Sequence, residues 1–172
     1  AGGSISNPSS GIEIGAGGII TTYGSNLTLL GSVYESAVSN DLYGISNRGT
    51  ISAGLLGNVS VTGIARYNGG GEPHGIFMDA GTSLITSSGG DVQVIGYSNN
   101  LTSVTGGLNG RGILVQSGAV VTSGGNGNVT VIGYGGNTNS GNNEGVRVFQ
   151  SSVVSANGSG NVNVTGYAGY TG

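Results

Sequence analysis

Cysteine and tryptophan are absent from this chain of 172 residues, and proline occurs only 2 times. Without cysteine, the chain has neither a disulfide framework nor a zinc site made of thiolates. Lysine and arginine together number 4, which leaves no basic surface for nucleic acid or for an anionic membrane. No apolar run approaches the length of a membrane helix, so we expect no membrane insertion.

Glycine, in contrast, is abundant, at 39 of 172 residues, but it does not occur at every third position as in collagen. A chain this rich in glycine, serine and asparagine is a candidate for disorder. However, 35% of its residues are hydrophobic, and within short segments they recur at every second position. That period is the pattern of β-strands with one buried face.

One six-residue segment, which begins with Asn or Asp and closes with glycine, recurs five times. Its copies lie at 26–31, 58–63, 91–96, 128–133 and 161–166. The closing glycines are therefore 32, 33, 37 and 33 residues apart, in the range of solenoid repeats. Two shorter apolar pieces precede each copy. The first pieces open on the glycines at 11, 44, 75, 112 and 145, and the second lie at 20–22, 51–53, 85–87, 121–123 and 154–156.

Three short strands per unit predict an all-β fold, a single-stranded parallel β-helix or β-solenoid with about five rungs of about 33 residues. We interpret residues 1–172 as a single domain with an N-terminal edge segment at 1–10. Segments 32–43, 64–74, 97–111 and 134–144 do not repeat, so the variable loops are expected along one edge of the helix. Tyr34, Tyr43 and Tyr67 lie in these loops and are the candidate ligand-binding residues.

Stacking of equivalent positions predicts the core and two ladders on the surface. The inward columns are Ile12, Ile45, Ile76, Ile113 and Val146; Ile20, Ile51, Ile85, Val121 and Val154; Leu27, Val59, Val92, Val129 and Val162; and Leu29, Val61, Val94, Val131 and Val164. Asn47 interrupts a further apolar column and must find hydrogen-bond partners inside or tilt out. The structural ladders are Asn26, Asn58, Asp91, Asn128 and Asn161 before the third strand, and Tyr97, Tyr134 and Tyr167 after it.

A last column immediately precedes the opening glycines. It holds Tyr43, His74, Arg111 and Glu144. We expect Arg111 and Glu144 to be neighbours along the axis and to form an exposed ion pair, which contributes only about 0–1 kcal/mol. We expect the single histidine, His74, to be a solvated loop residue and not a metal ligand, because metals need three or four donors.

The unit pattern is written in full as Gly-Ile-x-Val at 112–115, Val-Thr-Ser at 121–123 and Gly-Asn-Val-Thr-Val-x-Gly at 127–133. It resembles the right-handed β-helical shafts of filamentous-haemagglutinin-like and autotransporter-type bacterial surface adhesins. The resemblance covers about residues 11–166. It implies a secreted, extracellular protein at the bacterial cell surface.

Enzymes that act on polysaccharides also use β-helices, and their chemistry needs carboxylates gathered on one face. The seven acidic residues are spread over all units instead. We therefore expect no enzyme activity, no cofactor and no metal site.

Two functions remain open at this point. In the first, the chain is a structural subunit or segment of an extracellular fibre or adhesin. Because no segment resembles an amphipathic cap, its open end rungs either continue into further rungs of a longer chain or stack head to tail on other copies. We favour the filament of copies. In the second, the variable-loop edge is a binding module for polysaccharide or for a cell surface.

Overall fold

A computed structural model of the chain describes residues 9–35, 41–67, 71–99, 109–137 and 142–169. Its strands form three parallel five-stranded sheets. The first sheet contains β1 (Ser9–Ile14), β4 (Leu42–Asn47), β7 (Pro73–Asp79), β10 (Arg111–Gln116) and β13 (Val146–Val148). The second contains β2 (Ile19–Thr21), β5 (Thr50–Ser52), β8 (Leu84–Thr86), β11 (Val120–Thr122) and β14 (Val153–Ser155). The third contains β3 (Leu27–Glu35), β6 (Val59–Tyr67), β9 (Val92–Asn99), β12 (Val129–Tyr134) and β15 (Val162–Tyr167).

Each strand pairs in parallel with its equivalent in the next unit. Ile12 pairs with Ile45, for example, and Val131 pairs with Val164. The predicted fold is therefore confirmed, and the chain is a β-solenoid with three strands in each rung. The described residues include no helix that is long and apolar enough to cross a membrane.

The core lies between the three sheets and is made of the predicted columns. In the three middle rungs, the inward residues of all four columns are fully or almost fully buried. Each such side chain contributes about 1.5–3 kcal/mol by burial. Asn47 is also buried inside the solenoid, where its Oδ1 accepts from the backbone N–H of Gly49 at 3.0 Å and its Nδ2 donates to Leu84 O at 3.3 Å. It satisfies its amide by local bonds, so the strand does not tilt out.

A pair of glycines shapes the corner between the third sheet and the first. A Cβ on the closing glycine Gly63 would overlap the carbonyl oxygen of Gly75, the opening glycine of the next unit. A Cβ on Gly75 would in turn overlap the backbone nitrogen of Tyr97. The two strands approach so closely that only hydrogen fits between their backbones.

Strand limits differ from the prediction on both sides of this corner. In the first three units the third strand continues past its closing glycine, to Glu35, Tyr67 and Asn99. The first strand of the four leading units begins before its opening glycine, so that β1 starts at Ser9 and not at Gly11. The first three variable segments are therefore strand at both ends, and the fourth, 134–144, only at its start. Leu42 and Ala65 pack with Val33 in a small cluster of their own between these extensions.

Candidate functional site

The asparagine column forms a continuous ladder along the solenoid axis. The Oδ1 atom of each member accepts from the backbone N–H of its equivalent in the next rung. The N···O distances are 2.9 Å from Asn58 to Asn26, 2.8 Å from Asp91 to Asn58, 2.7 Å from Asn128 to Asp91 and 2.9 Å from Asn161 to Asn128. Asp91 also accepts from Nδ2 of Asn128 at 3.2 Å. Within the described part of the chain, Oδ1 of Asn161 accepts no hydrogen bond, so the ladder ends open.

The three tyrosines that follow the closing glycines stack on one another. Ring centroids are 4.7 Å apart for Tyr97 and Tyr134 and 4.8 Å apart for Tyr134 and Tyr167, with interplanar angles of 4° and 9°. These distances lie in the range of offset stacking and match the spacing of the strands. Since the ring faces meet along the axis, solvent contacts mainly the ring edges. One face of Tyr167, at the last rung, has no stacking partner among the described rings.

The outer face of the third sheet is partly apolar. Leu30 lies in the same outward column as Ile95 and Ile132, directly beside the column of stacked tyrosines. Tyr34 lies on this face in the first rung and is 63% exposed. Tyr67 ends β6, but its side chain lies outside the described part of the structure.

Tyr43 does not join Tyr34 on the surface. It lies in β4 and is only 6% exposed. Its ring stacks on Phe77 at 4.5 Å and on His74 at 5.7 Å between centroids, and Leu114 completes the cluster. The predicted ligand site is therefore wrong in its placement of Tyr43, because the strand begins earlier than its glycine and carries the ring into an aromatic cluster.

The expectation that His74 is a solvated loop residue is wrong. The histidine lies in β7 and is 2% exposed, and Nδ1 donates to Pro73 O at 3.0 Å. Burial lowers the pKa of His74 to about 3, and the nearby positive charge of Arg111 adds to the effect. The ring is thus neutral at physiological pH. Burial also raises the pKa of Tyr43, with a further contribution from the negative charge of Asp41.

Arg111 pairs with Glu144, its neighbour in the next rung. Its Nε donates to Oε2 of Glu144 at 2.9 Å, and its Nη1 lies 3.8 Å from Oε2 of Glu72 in the preceding rung. The pairing was predicted, but the expectation of an exposed pair is wrong, because the arginine is buried and only the glutamates are partly accessible. The buried guanidinium thus lies between the carboxylates of the preceding and the following rung, which compensate its charge.

A second polar ladder, missed in the sequence, lies two residues before the column of Tyr43. The backbone N–H of Glu72 donates to Asp41 Oδ1 at 3.3 Å, Nδ2 of Asn109 donates to Glu72 Oε1 at 2.5 Å, and Nδ2 of Asn142 donates to Asn109 Oδ1 at 2.6 Å. The signal was present, since all four residues have the same offset from an opening glycine. Counting backward from that glycine would have found them.

Glu72 and Glu144 both approach Arg111, but Asp79 and Asp91 are bonded elsewhere. Asp79 accepts from Nε2 of Gln116 at 2.9 Å and from Oγ of Ser117 at 2.7 Å, and Asp91 belongs to the asparagine ladder. Among the described residues, no three His, Asp or Glu side chains are grouped so that they could hold a metal ion. That the chain is no enzyme stays a prediction.

The last rung exposes apolar side chains that its equivalents bury. Val148, Val162 and Val164 are 39%, 45% and 47% exposed. All three belong to inward columns whose members in the fourth rung are fully buried. Exposed apolar surface of this kind marks a contact region, which a following rung, from the same chain or from another molecule, would cover.

Comparison with known proteins identifies no relative. No protein-family model matches the chain, and no curated protein and no solved structure is significantly similar to it. The fold itself defines the class of protein, a β-solenoid with stacked parallel strands.

Proposed function

We propose that this chain is a structural segment of an extracellular bacterial fibre or adhesin, and that it stacks end to end through its open β-helix rungs. The observation that carries this proposal is the exposure of Val148, Val162 and Val164 in columns that are otherwise buried. A rung with exposed apolar interior and unpaired strand edges favours the addition of another rung. The function of such a protein is reach and rigidity.

The regular lateral bonding supports a rigid rod. All three sheets run through the five rungs, and the asparagine ladder and the tyrosine stack run along the same axis. In stacked repeats of this kind each rung contacts only its neighbours, and the interfaces between rungs add up along the axis. The extracellular and bacterial parts of the proposal depend on the resemblance of the repeat to adhesin shafts.

Electron microscopy of the purified 172-residue chain over a range of concentrations tests the proposal. We expect unbranched fibres one solenoid wide, which lengthen as concentration rises. Isolated particles one chain long at every concentration would contradict end-to-end stacking by this chain.

A second candidate function is the binding of polysaccharide or a cell surface. The exposed ring of Tyr34, on the partly apolar outer face of the third sheet, favours it, because amphipathic rings suit the faces of sugars. A glycan array probed with the intact chain and with Tyr34→Ala tests this function. Tyr23→Ala is a matched control, since Tyr23 is also exposed but lies outside the third sheet. Loss of binding in Tyr34→Ala alone would support a site on this face, and an array without signal would remove it.

A further inference from the structure

This inference depends on the end-to-end stacking proposed above. We propose that the rung that pairs with the last-rung strands β13, β14 and β15 is the first rung of a second copy of this chain. The second copy docks in the register of the internal rungs. In that register Arg147 forms an ion pair with Glu13 of the second copy. The junction is thus specified by charge as well as by apolar contact.

The register follows from the pairing inside the chain. In the first sheet, Glu13 pairs with Ser46, Ser46 with Phe77, Phe77 with Leu114, and Leu114 with Arg147. One further step of the same kind places a first-rung strand beyond β13. The residue beside Arg147 is then the second copy's Glu13.

Apolar positions match across such a junction in every inward column. The pairs, with the last rung first, are Val146 with Ile12, Val148 with Ile14, Val154 with Ile20, Val162 with Leu27 and Val164 with Leu29. The first-rung members of these columns already face inward. Docking buries the side chains that the last rung leaves exposed, and no polar residue is forced into the core.

The asparagine ladder is also complementary at its two ends. Within the described chain, Oδ1 of Asn161 has no donor from a following rung. The backbone N–H of Asn26, in turn, donates to no preceding rung among the described residues. Every internal step of the ladder joins these two groups at 2.7–2.9 Å. The junction supplies the missing step.

Charge favours the register that places Glu13 beside Arg147 over a register rotated by one sheet. Glu13 is exposed and forms no ion pair with any described residue, and Arg147 is held in place by Glu144 at 3.3 Å and by the ring of Phe149 at 4.5 Å. Arg111 shows that the fold accommodates such contacts, since it bonds a glutamate one rung away at 2.9 Å. A rotation of the second copy by one sheet would separate Glu13 from Arg147 and place Thr28 beside Arg147.

Charge reversal tests the pairing in the intact chain. Self-association is measured by sedimentation velocity over a concentration series. Glu13→Arg and Arg147→Glu each place like charges at the junction and are expected to weaken association about tenfold. The double variant Glu13→Arg/Arg147→Glu restores it, and so does an equimolar mixture of the two single variants. Arg66→Glu, an equal charge change at an exposed site in a middle rung, is the control and has no comparable effect.

Cysteine cross-linking tests the register directly, because the chain has no cysteine of its own. Glu13→Cys/Arg147→Cys places the Cα atoms of the two cysteines about 4.8 Å apart at the junction, a separation that a disulfide can bridge, but four rungs apart inside one chain. Oxidation therefore yields a ladder of covalent multimers on a denaturing gel. Thr28→Cys/Arg147→Cys forms multimers only in the rotated register and is expected to remain monomeric.

The outcomes separate the inference from the proposed function. Fibres that tolerate both charge reversals, or that cross-link through Thr28→Cys, would overturn this register and leave end-to-end stacking in place. A wild-type chain that stays monomeric at every concentration would overturn both. Association that the double variant fails to restore would show that the single variants acted by local damage, and the ion pair would be wrong.

Discussion

The fourth and the last rungs have nearly the same apolar sequence and very different surfaces. Val131 and Val164 occupy the same inward column and pair with each other, yet Val131 is fully buried and Val164 is 47% exposed. Val129 and Val162 differ in the same way. Ile12, Ile20 and Leu29 of the first rung are also only partly buried. Full burial in this fold therefore needs a neighbouring rung on each side.

This dependence on neighbours is the property of quasi-one-dimensional proteins, whose stability is close to a sum of repeat and interface contributions. A substitution in a middle rung should affect two interfaces, and the same substitution in the last rung only one. Matched pairs of variants in one column can measure the difference.

The largest contrast is expected for the closing glycines. Gly133→Ala would push a Cβ against the carbonyl oxygen of Gly145, and backbone cannot yield as a side chain can. We expect it to lower the free energy of unfolding by about 3 kcal/mol or more. In Gly166→Ala the nearest atom to the new Cβ is Val146 N at 3.2 Å, so the loss should stay below about 1 kcal/mol. Urea unfolding followed by circular dichroism measures both.

Equal losses in the two glycine variants would contradict the view that the next rung imposes the constraint. Gly166→Ala has a second use. In a stacked fibre its Cβ would meet the opening glycine of the following copy, so this variant should fold normally and fail to associate.

The second contrast concerns the loss of stability in acid. It involves the column of Tyr43, His74, Arg111 and Glu144, which is buried in the middle rungs and partly accessible at the last rung. His74 is buried in the third rung, and its equivalent in the last rung is the partly exposed Glu144. The pKa of His74 is about 3 in the folded chain against 6.5 when unfolded. Below pH 6.5 the unfolded state therefore binds a proton that the folded state does not bind, and stability falls as pH decreases toward 3.

Between pH 6.5 and 4.5 this loss should reach about 2–3 kcal/mol. Because carboxylates also titrate in acid, the measurement is the difference between the chain and His74→Phe, whose ring fits the aromatic cluster but does not titrate. Parallel pH profiles of unfolding free energy for the two proteins would show that the buried histidine is not the cause.

Much of the fold could be predicted because a period of two and a glycine every 33 or so residues leave little freedom. The inward columns, such as that of Val131, follow from alternation alone, and the register follows from alignment of the glycines. Asn47 shows the same logic for a polar residue, since burial obliges it to find the partners it has in Gly49 and Leu84.

The variable edge could not be predicted as well. Tyr43 and His74 were assigned to loops because their segments do not repeat, although alternation continues past the closing glycine through Val33, Ala65 and Ser98. Strand pairing is set by the backbone and tolerates unlike side chains, so a sequence that stops repeating need not stop being strand. That is the physical reason why Tyr43 and His74 were wrongly placed in loops.

The third contrast is the removal of methyl groups from one column. Val131→Ala removes two buried carbons at about 0.8 kcal/mol each and leaves a cavity, which gives a loss of about 2 kcal/mol. Val164→Ala removes the same atoms from a half-exposed site and should cost about 1 kcal/mol or less. If the two variants unfold at the same urea concentration, the last rung is as well packed in solution as the middle, which would mean that another copy already covers it.

The smallest contrast lies in the asparagine ladder, where solvent can replace lost bonds. Asn128→Ala removes the acceptor for the backbone N–H of Asn161 and a donor to Asp91, so we expect a loss of about 1 kcal/mol. Asn161→Ala removes only a 3.3 Å bond from its Nδ2 to Asn128 and should cost about half as much or less. Asn128→Asp keeps an acceptor for the N–H of Asn161, as Asp91 does for that of Asn128, but it loses the donor to Asp91 and places a second carboxylate beside it. Amide hydrogen exchange gives the local measurement. Exchange at the backbone N–H of Asn161 should accelerate in Asn128→Ala and stay slow in Asn128→Asp, and equal protection in both would mean that the ladder does not hold the last rung in place.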